Sequence, residues 1–297
     1  MTATVFDERV ARIEAGGALS AEEIRDLGSS PDIVSLGMLA DTLRRRLRGD
    51  RTTYVRVATC AFDGAFTDLP AAAREVRLTG VPETLDLALA AVRGAKASAG
   101  ERAITWLAWA DIERLGAQHG RGVGGALFDL RHAGLEALAD LPLDTVMDPD
   151  AAVGRLKEAG FDRLCLTIES TNNGARAELW LRAEALQQRF GIIQVLNPLP
   201  TMLRTFRPTT GYEDVRSVAL ARLAAPAIPV IQVDWTRYGP KLAQVALTFG
   251  ADDVWGISPS EAAPEGRRRA PVEEICRNIE SAGFRPAERD GRHHVDA

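Results

Sequence analysis

The segment Ile228-Pro229-Val230-Ile231-Gln232-Val233-Asp234-Trp235, continued by Gly239-Pro240-Lys241-Leu242-Ala243-Gln244-Val245-Ala246-Leu247-Thr248-Phe249-Gly250 and closed by Val254-Trp255-Gly256-Ile257, decides the fold. Residues 230–233 form a short apolar run suited to a buried strand. Residues 240–249 carry apolar side chains at helical spacing and stop at Gly250, where a left-handed C-cap is wanted; residues 254–257 are apolar again. This is a strand–helix–strand unit. Working back along the chain, the same alternation recurs, with strands expected at 54–57, 76–78, 104–107, 135–138, 164–168 and 192–196. Helices are expected at 82–96, 151–159, 175–189, 212–223 and, beyond the last strand, 271–282. Strict alternation favours a parallel sheet covered by helices, and eight strands is the number that closes a barrel. The expected fold class is therefore α/β, a (β/α)8 TIM-type barrel, with an open doubly wound sheet as the alternative.

Two departures from a plain barrel are legible. Residues 1–50 read as a helical N-terminal extension: Phe6, Val10 and Ile13 recur at helical spacing, Ser20-Ala21-Glu22-Glu23 is a capping-box pattern, and residues 33–47 are amphipathic before an arginine-rich end. Residues 51–297 then form the barrel with a C-terminal helix. Within it, only residues 61–75 separate the first two strands, too few for an ordinary βαβ crossover, which takes about a dozen residues or more. A shortened first crossover and a thin place in the helical ring follow.

Composition bounds the function. The chain has 297 residues and a net charge of −5, the wrong sign for a nucleic-acid surface. Arg44-Arg45-Arg46 and Arg267-Arg268-Arg269 read as solvated faces, and no apolar run reaches the roughly 18 residues of a membrane span. With no signal-peptide pattern and three widely spaced cysteines, Cys60, Cys165 and Cys276, a reducing, cytoplasmic setting is expected.

In such a barrel, chemistry gathers at the C-terminal ends of the strands. Residues there include Cys60, Asp63, Thr79, Gly80, Trp109, Asp111, Asp140, Glu169, Asn172, Asn197, Asp234, Trp235 and Ser258. Carboxylates, amides and two indoles suit a polar, ring-containing small molecule. Glu169, Asp234 and Asp111 are the candidates for acid–base catalysis, and Trp109, Asn197, Gln232, Trp235 and Asp253 for substrate binding. Each has a structural alternative; Asp111, before Ile112-Glu113, is placed like a helix cap. Arg204 and Arg207, flanking Phe206, are suited to an anionic group. Gly120-Arg121-Gly122-Val123-Gly124-Gly125 lacks dinucleotide spacing and reads as a flexible loop before a helix at Ala126. Cys165 reads as a core residue. His119, His132, His293 and His294 show no ligand spacing, and the terminal pair falls in what reads as a frayed tail. No metal site is expected.

Residues 211–223, Gly211-Tyr212-Glu213-Asp214-Val215-Arg216-Ser217-Val218-Ala219-Leu220-Ala221-Arg222-Leu223, together with 228–235 and 239–253, resemble the C-terminal half of the radical SAM enzymes of the futalosine route to menaquinone. That family comprises aminofutalosine synthase and dehypoxanthine futalosine cyclase, with the related deazaflavin-forming synthase subunit. Upstream, Leu36-Gly37-Met38-Leu39-Ala40-Asp41-Thr42-Leu43-Arg44-Arg45-Arg46-Leu47 resembles the helix leading into the family's first strand. The resemblance implies a radical-SAM-like barrel, a four-iron four-sulfur cluster and S-adenosylmethionine. The sequence departs where those cofactors bind. The family's Cys-x3-Cys-x2-Cys loop ends in Cys-Ala-Phe, and only Cys60-Ala61-Phe62 stands here; the family's glycine-rich S-adenosylmethionine segment aligns with Ala139-Asp140-Leu141-Pro142-Leu143-Asp144, without its glycines. A single thiolate does not supply the three that the cluster needs.

The expectation is a degenerate, cluster-less member of the family with no cofactor of its own. It would bind or process a futalosine-like or related aromatic compound in menaquinone biosynthesis without radical chemistry, and if catalytic it would be a lyase- or transferase-type acid–base enzyme. The alternatives are a non-catalytic partner subunit of an active homologue, and a radical SAM enzyme with an atypical cluster. The expected partners are a small-molecule ligand and a homologous enzyme or a second copy of the chain, with no nucleic acid and no membrane span.

Overall fold

Short apolar strands bounded by glycine stops leave the backbone one economical solution: a closed parallel sheet ringed by helices. The computed structural model describes residues 3–118, 120–169, 176–202, 211–263, 265 and 269–295. Its barrel strands are β1 (Arg51–Ala61), β2 (Glu75–Thr79), β3 (Ala103–Ala108), β4 (Ala137–Pro142), β5 (Leu164–Ile168), β6 (Ile193–Pro200), β7 (Val230–Asp234) and β8 (Asp253–Ile257). Each pairs in parallel with the next, and β1 closes the ring by pairing with both β8 and β2. The barrel is the expected one, and the open sheet is set aside.

Three helices precede it: α1 (Ala3–Glu14), α2 (Ala21–Ser29) and α3 (Ile33–Arg48). The capping box at α2 forms both its bonds, Glu23 N–H to Ser20 Oγ at 3.2 Å and Ser20 N–H to Glu23 Oε2 at 2.9 Å. The outer ring is α4 (Leu85–Ala99), α5 (Trp109–Gln118), α6 (Gly122–Ala133), α7 (Pro149–Glu158), α8 (Arg176–Phe190), α9 (Gly211–Ala224), α10 (Trp235–Leu247) and α11 (Pro271–Ser281). α3 packs on α9, with Phe249 directly over Gly37, where a Cβ would meet its ring at 2.7 Å. α10 is kinked at Gly239, whose φ of 74° and following proline interrupt the helix.

No helix joins β1 to β2; turns carry the chain from 62 to 74. Phe62, Phe66 and Leu69 cover the core there, half-buried. Phe62 stacks on Trp106 with ring centroids 5.6 Å apart, and Phe66 lies against Gly94 of α4.

The structure corrects several expectations. The fourth strand begins at Ala137 rather than 135, because residues 134–136 serve the turn after α6. α6 begins at Gly122, so the glycine run is largely helical. Arg44 is not solvated: it is 0% exposed, donates to the carbonyls of Ala251, Gly49 and Arg51, and stacks on Phe284 at 3.6 Å. Burial lowers its pKa to about 10, which leaves it charged at neutral pH. Most consequential, residues 285–295 are not a frayed tail. β9 (Arg285–Glu288) pairs in parallel with the first half of β1, and the residues after it close the floor of the barrel.

Candidate ligand cavity

Along the strands, polar and apolar residues alternate, and the polar set faces inwards. In β2, Glu75, Arg77 and Thr79 line the interior while Val76 and Leu78 are buried against the outer layer. In β5, Cys165 and Thr167 face in and Leu166 and Ile168 out; in β7, Gln232 and Asp234 face in and Ile231 and Val233 out. The result is a cavity of ≈ 340 Å³ inside the barrel, reaching from Thr79, Asp234 and Arg237 at the mouth to Gly291 and His293 at the floor.

The floor is an ion-pair assembly. Asp253, at the start of β8, receives Arg289 through Nε at 2.6 Å and Nη2 at 2.9 Å, Thr53 Oγ1 at 2.5 Å and Gln232 Nε2 at 2.7 Å. Both Asp253 and Arg289 are buried, at 0% and 2% exposure. Burial on its own would raise the Asp253 pKa, but the Arg289 guanidinium outweighs it and holds the carboxyl down at about 2. Further along the tail, Arg292 grips Glu136 with contacts of 2.8 and 2.6 Å, and Gly291 lies so close to Ala103 that a Cβ would meet its methyl at 2.8 Å. His293 is held neutral, its pKa lowered to about 3 by burial and by Arg289.

On the wall, Glu75 Oε1 accepts from Thr105 Oγ1 at 2.7 Å and from the Trp255 indole N–H at 3.2 Å. Arg77 lies 5.1 Å from the Trp255 ring centre and 3.6 Å from Asp140. At the mouth, Asp234 caps α10, accepting from the backbone of Thr236 at 2.8 Å and of Arg237 at 3.2 Å.

Of the residues expected from sequence, Thr79, Asp140, Asn197, Gln232 and Asp234 line this cavity, and Asp253 lies beneath them, its carboxylate occupied by the tail arginine. The other described candidates do not line it. Trp109 is 3% exposed within the core. Asp111 Oδ2 is engaged by Ala108 N–H at 2.9 Å, a cap at the start of α5. Trp235 packs against the core from the first turn of α10, and Glu169 follows β5 outside the cavity lining. Cys165, read as core, faces the cavity. Asn172, Arg204, Phe206, Arg207, Arg267, Arg268 and His119 lie outside the described residues. Sequence reasoning missed Glu75, Arg77, Thr105, Trp255, Arg289 and His293. The alternation Glu75-Val76-Arg77-Leu78-Thr79 was the available signal for the first two; nothing local marks the tail.

A closed parallel barrel with this outline defines the class. The fold matches those of methylornithine synthase, at a TM-score of 0.65 with 16% identity over 94% of this chain and 97% of that one, and of the hydrogenase maturase HydG from Carboxydothermus hydrogenoformans, at 0.67 with 13% identity over 96% and 79%. Residues 196–296 match the CofH/MqnC C-terminal region. Curated relatives include the 5-amino-6-(D-ribitylamino)uracil–L-tyrosine 4-hydroxyphenyl transferase of Archaeoglobus fulgidus, 37% identical over 39% of this chain and 37% of that protein. Aminodeoxyfutalosine synthase of Thermus thermophilus is 38% identical over 28% and 23%, and cyclic dehypoxanthine futalosine synthase of Streptomyces coelicolor 26% identical over 94% and 86%. The chain is thus similar, over its C-terminal third above all, to enzymes named for the futalosine pathway and to the CofH-type transferase. Its alignment with the Archaeoglobus transferase spans less than two fifths of that protein's length.

The cysteines do not fit the cluster that this relationship implies. Cys60 pairs across the ladder with Leu78 and shares its outward face, packing against the core, whereas its neighbour Thr59 lines the cavity. Cys165 lies in β5, facing inwards, and Cys276 lies in α11. Three sulfurs so placed do not converge, and among the described residues no group of three or more His, Cys, Asp or Glu side chains is placed to hold a metal. Burial raises the pKa of both Cys60 and Cys165, favouring thiol over the thiolate that iron binds. Among the described residues, no helix is long and apolar enough to cross a membrane.

Proposed function

We propose that the protein binds a futalosine-like or related aromatic compound inside its barrel, within menaquinone biosynthesis, and does so without a cluster of its own. The observation that carries this reading is the pairing of a cavity lined by polar side chains with a first strand whose sole cysteine points out of the barrel. Kinship to enzymes named for aminodeoxyfutalosine and dehypoxanthine futalosine supports the choice of compound.

The lining suits such a molecule. Trp255 offers an indole beside a buried carboxylate, Asn197 and Gln232 offer amide groups, and Thr79 and Thr105 offer hydroxyls, a mixture that orients a polar ring system by hydrogen bonds. Of the three carboxylates expected to serve acid–base chemistry, only Asp234 reaches the cavity, and its Oδ1 is held by the first turn of α10. Binding is therefore the function that the geometry supports best.

The test is calorimetric titration of the full chain with aminodeoxyfutalosine, dehypoxanthine futalosine and 5-amino-6-(D-ribitylamino)uracil, with melting temperature as a second readout. Saturable binding of at least one, weakened by Gln232→Ala, is expected. No binding and no melting shift with any of the three would refute the proposal.

A further inference from the structure

Four arginines line the cavity, and each lies within 4 Å of a carboxylate other than Glu75: Arg77 with Asp140 at 3.6 Å, Arg163 with Glu136 at 3.3 Å, Arg237 with Asp234 at 3.9 Å and Arg289 with Asp253 at 2.6 Å. Glu75 has no such cation among the described residues. It is 3% exposed, and its donors, the Thr105 hydroxyl and the Trp255 indole, are both neutral. The single indole N–H is shared between the two oxygens, at 3.2 Å to Oε1 and 3.3 Å to Oε2, so among the described residues Oε2 has no donor of its own.

A buried carboxylate with no cation in contact is costly, and neutral donors with the more distant charge of Arg289 offset only part of that cost. Here the group does not lie in a sealed core; it faces a cavity large enough for a ring system, beside an indole. A carboxylate with a spare oxygen next to an aromatic plane matches the edge of a planar ligand that carries two adjacent N–H groups, because charge-assisted N–H to carboxylate bonds are stronger than neutral ones and two can run in parallel.

We propose that Glu75 is the recognition group of the barrel cavity, taking a planar ligand through an amidine-like edge, an amino group beside a ring N–H. This rests on the reading of the interior as a ligand pocket, though not on which pathway compound fills it. The assignment makes the pocket selective in charge: it favours donor-rich, neutral or cationic rings and rejects anionic ones at that wall. Trp255 and Thr105 act as positioning residues, holding the carboxylate against the wall.

Benzamidine, benzamide and benzoate share one ring and differ in the edge they present, and they are the probes for the full chain. Binding is followed by the indole N–H resonance of Trp255, assigned with Trp255→Phe. Benzamidine is expected to move that resonance and to bind more tightly than benzamide, with benzoate weakest. Glu75→Gln, which keeps the shape and an acceptor oxygen, should weaken benzamidine about tenfold or more, the loss of one charge-assisted bond. An unmoved resonance, benzoate binding as well as benzamidine, or equal affinity in Glu75→Gln would overturn the assignment. If Glu75→Gln fails to fold, the order of the three probes on the unaltered protein decides. Benzamidine binding with no response to futalosine-type compounds would refute the proposed function and leave Glu75 assigned; the reverse result would refute the Glu75 assignment alone.

Discussion

The two ends of the barrel are built differently. At the floor, the chain after α11 is drawn under the strands and fixed by the buried ion pair of Arg289 with Asp253, by the half-buried pair of Arg292 with Glu136, and by the close approach of Gly291 to Ala103. At the mouth, the helix that should follow β1 is absent, and three half-buried side chains cover the gap. Polar groups at the floor are mostly used up by one another; Glu75, at the start of β2 and level with Ala103, is the exception, a carboxylate with a spare oxygen facing the cavity. In a (β/α)8 barrel the N-terminal face carries stability and the C-terminal face function. Here residues 285–295 reinforce the floor, while Glu75 faces the cavity from the same end of the strands.

Substitutions at the floor should therefore cost the most stability. Asp253→Asn leaves Arg289 buried without its counter-ion and should destabilise the fold by about 3–5 kcal/mol in denaturant unfolding. The same variant should change acid unfolding. Because the Asp253 carboxyl is held near 2 when folded, below its unfolded value, its contribution is complete above pH 4 and is lost as pH falls from 4 towards 2. That part of the acid transition should be missing from Asp253→Asn. Gly291→Ala comes next. Its methyl would meet Ala103 at 2.8 Å and Glu75 at 3.2 Å, and the overpacking should cost about 1–3 kcal/mol.

His293 sharpens the comparison through pH. Its folded pKa, lowered to about 3, lies below the ordinary 6.5, so between those values the unfolded chain binds the extra proton. Stability should then be full above pH 6.5 and fall as pH drops towards 3, and His293→Gln should flatten that slope while His294→Gln leaves it unchanged. At the mouth, Asp111→Ala removes only the cap on Ala108 N–H and should cost about 1 kcal/mol. A mouth substitution as damaging as Asp253→Asn would break the distinction between the two ends.

How much of this was legible depends on the distance over which each residue acts. The strand–helix–strand unit from Val230 to Ile257 could be read directly because its signals are local: an apolar run, a helical period and a glycine stop. The missing helix between β1 and β2 was equally plain, from chain length alone. Gln232 and Asp234 were found because they lie at the end of a strand that is easily seen. Glu75 is hard to see because the apolar centre of its strand, 76–78, stands out and the residue before it does not; the inward-facing alternation Glu75-Val76-Arg77-Leu78-Thr79 is the stronger cue. Trp109 and Asp111 lie just past a strand end, as a ligand residue should, yet one turns into the core and the other serves a cap. Arg44 and Arg289 resemble any surface arginine in sequence. What buries them are the carbonyl of Ala251 and the carboxylate of Asp253, 207 and 36 residues away along the chain.

The claim on which the rest depends is that this barrel holds a ligand and not a cluster. The most direct measurement is iron and acid-labile sulfide content, with a visible spectrum, after anaerobic reconstitution of the full chain. The account predicts a colourless protein without stoichiometric iron. Four irons and four sulfides per chain, with the absorption of a cluster that changes on adding S-adenosylmethionine, would contradict it.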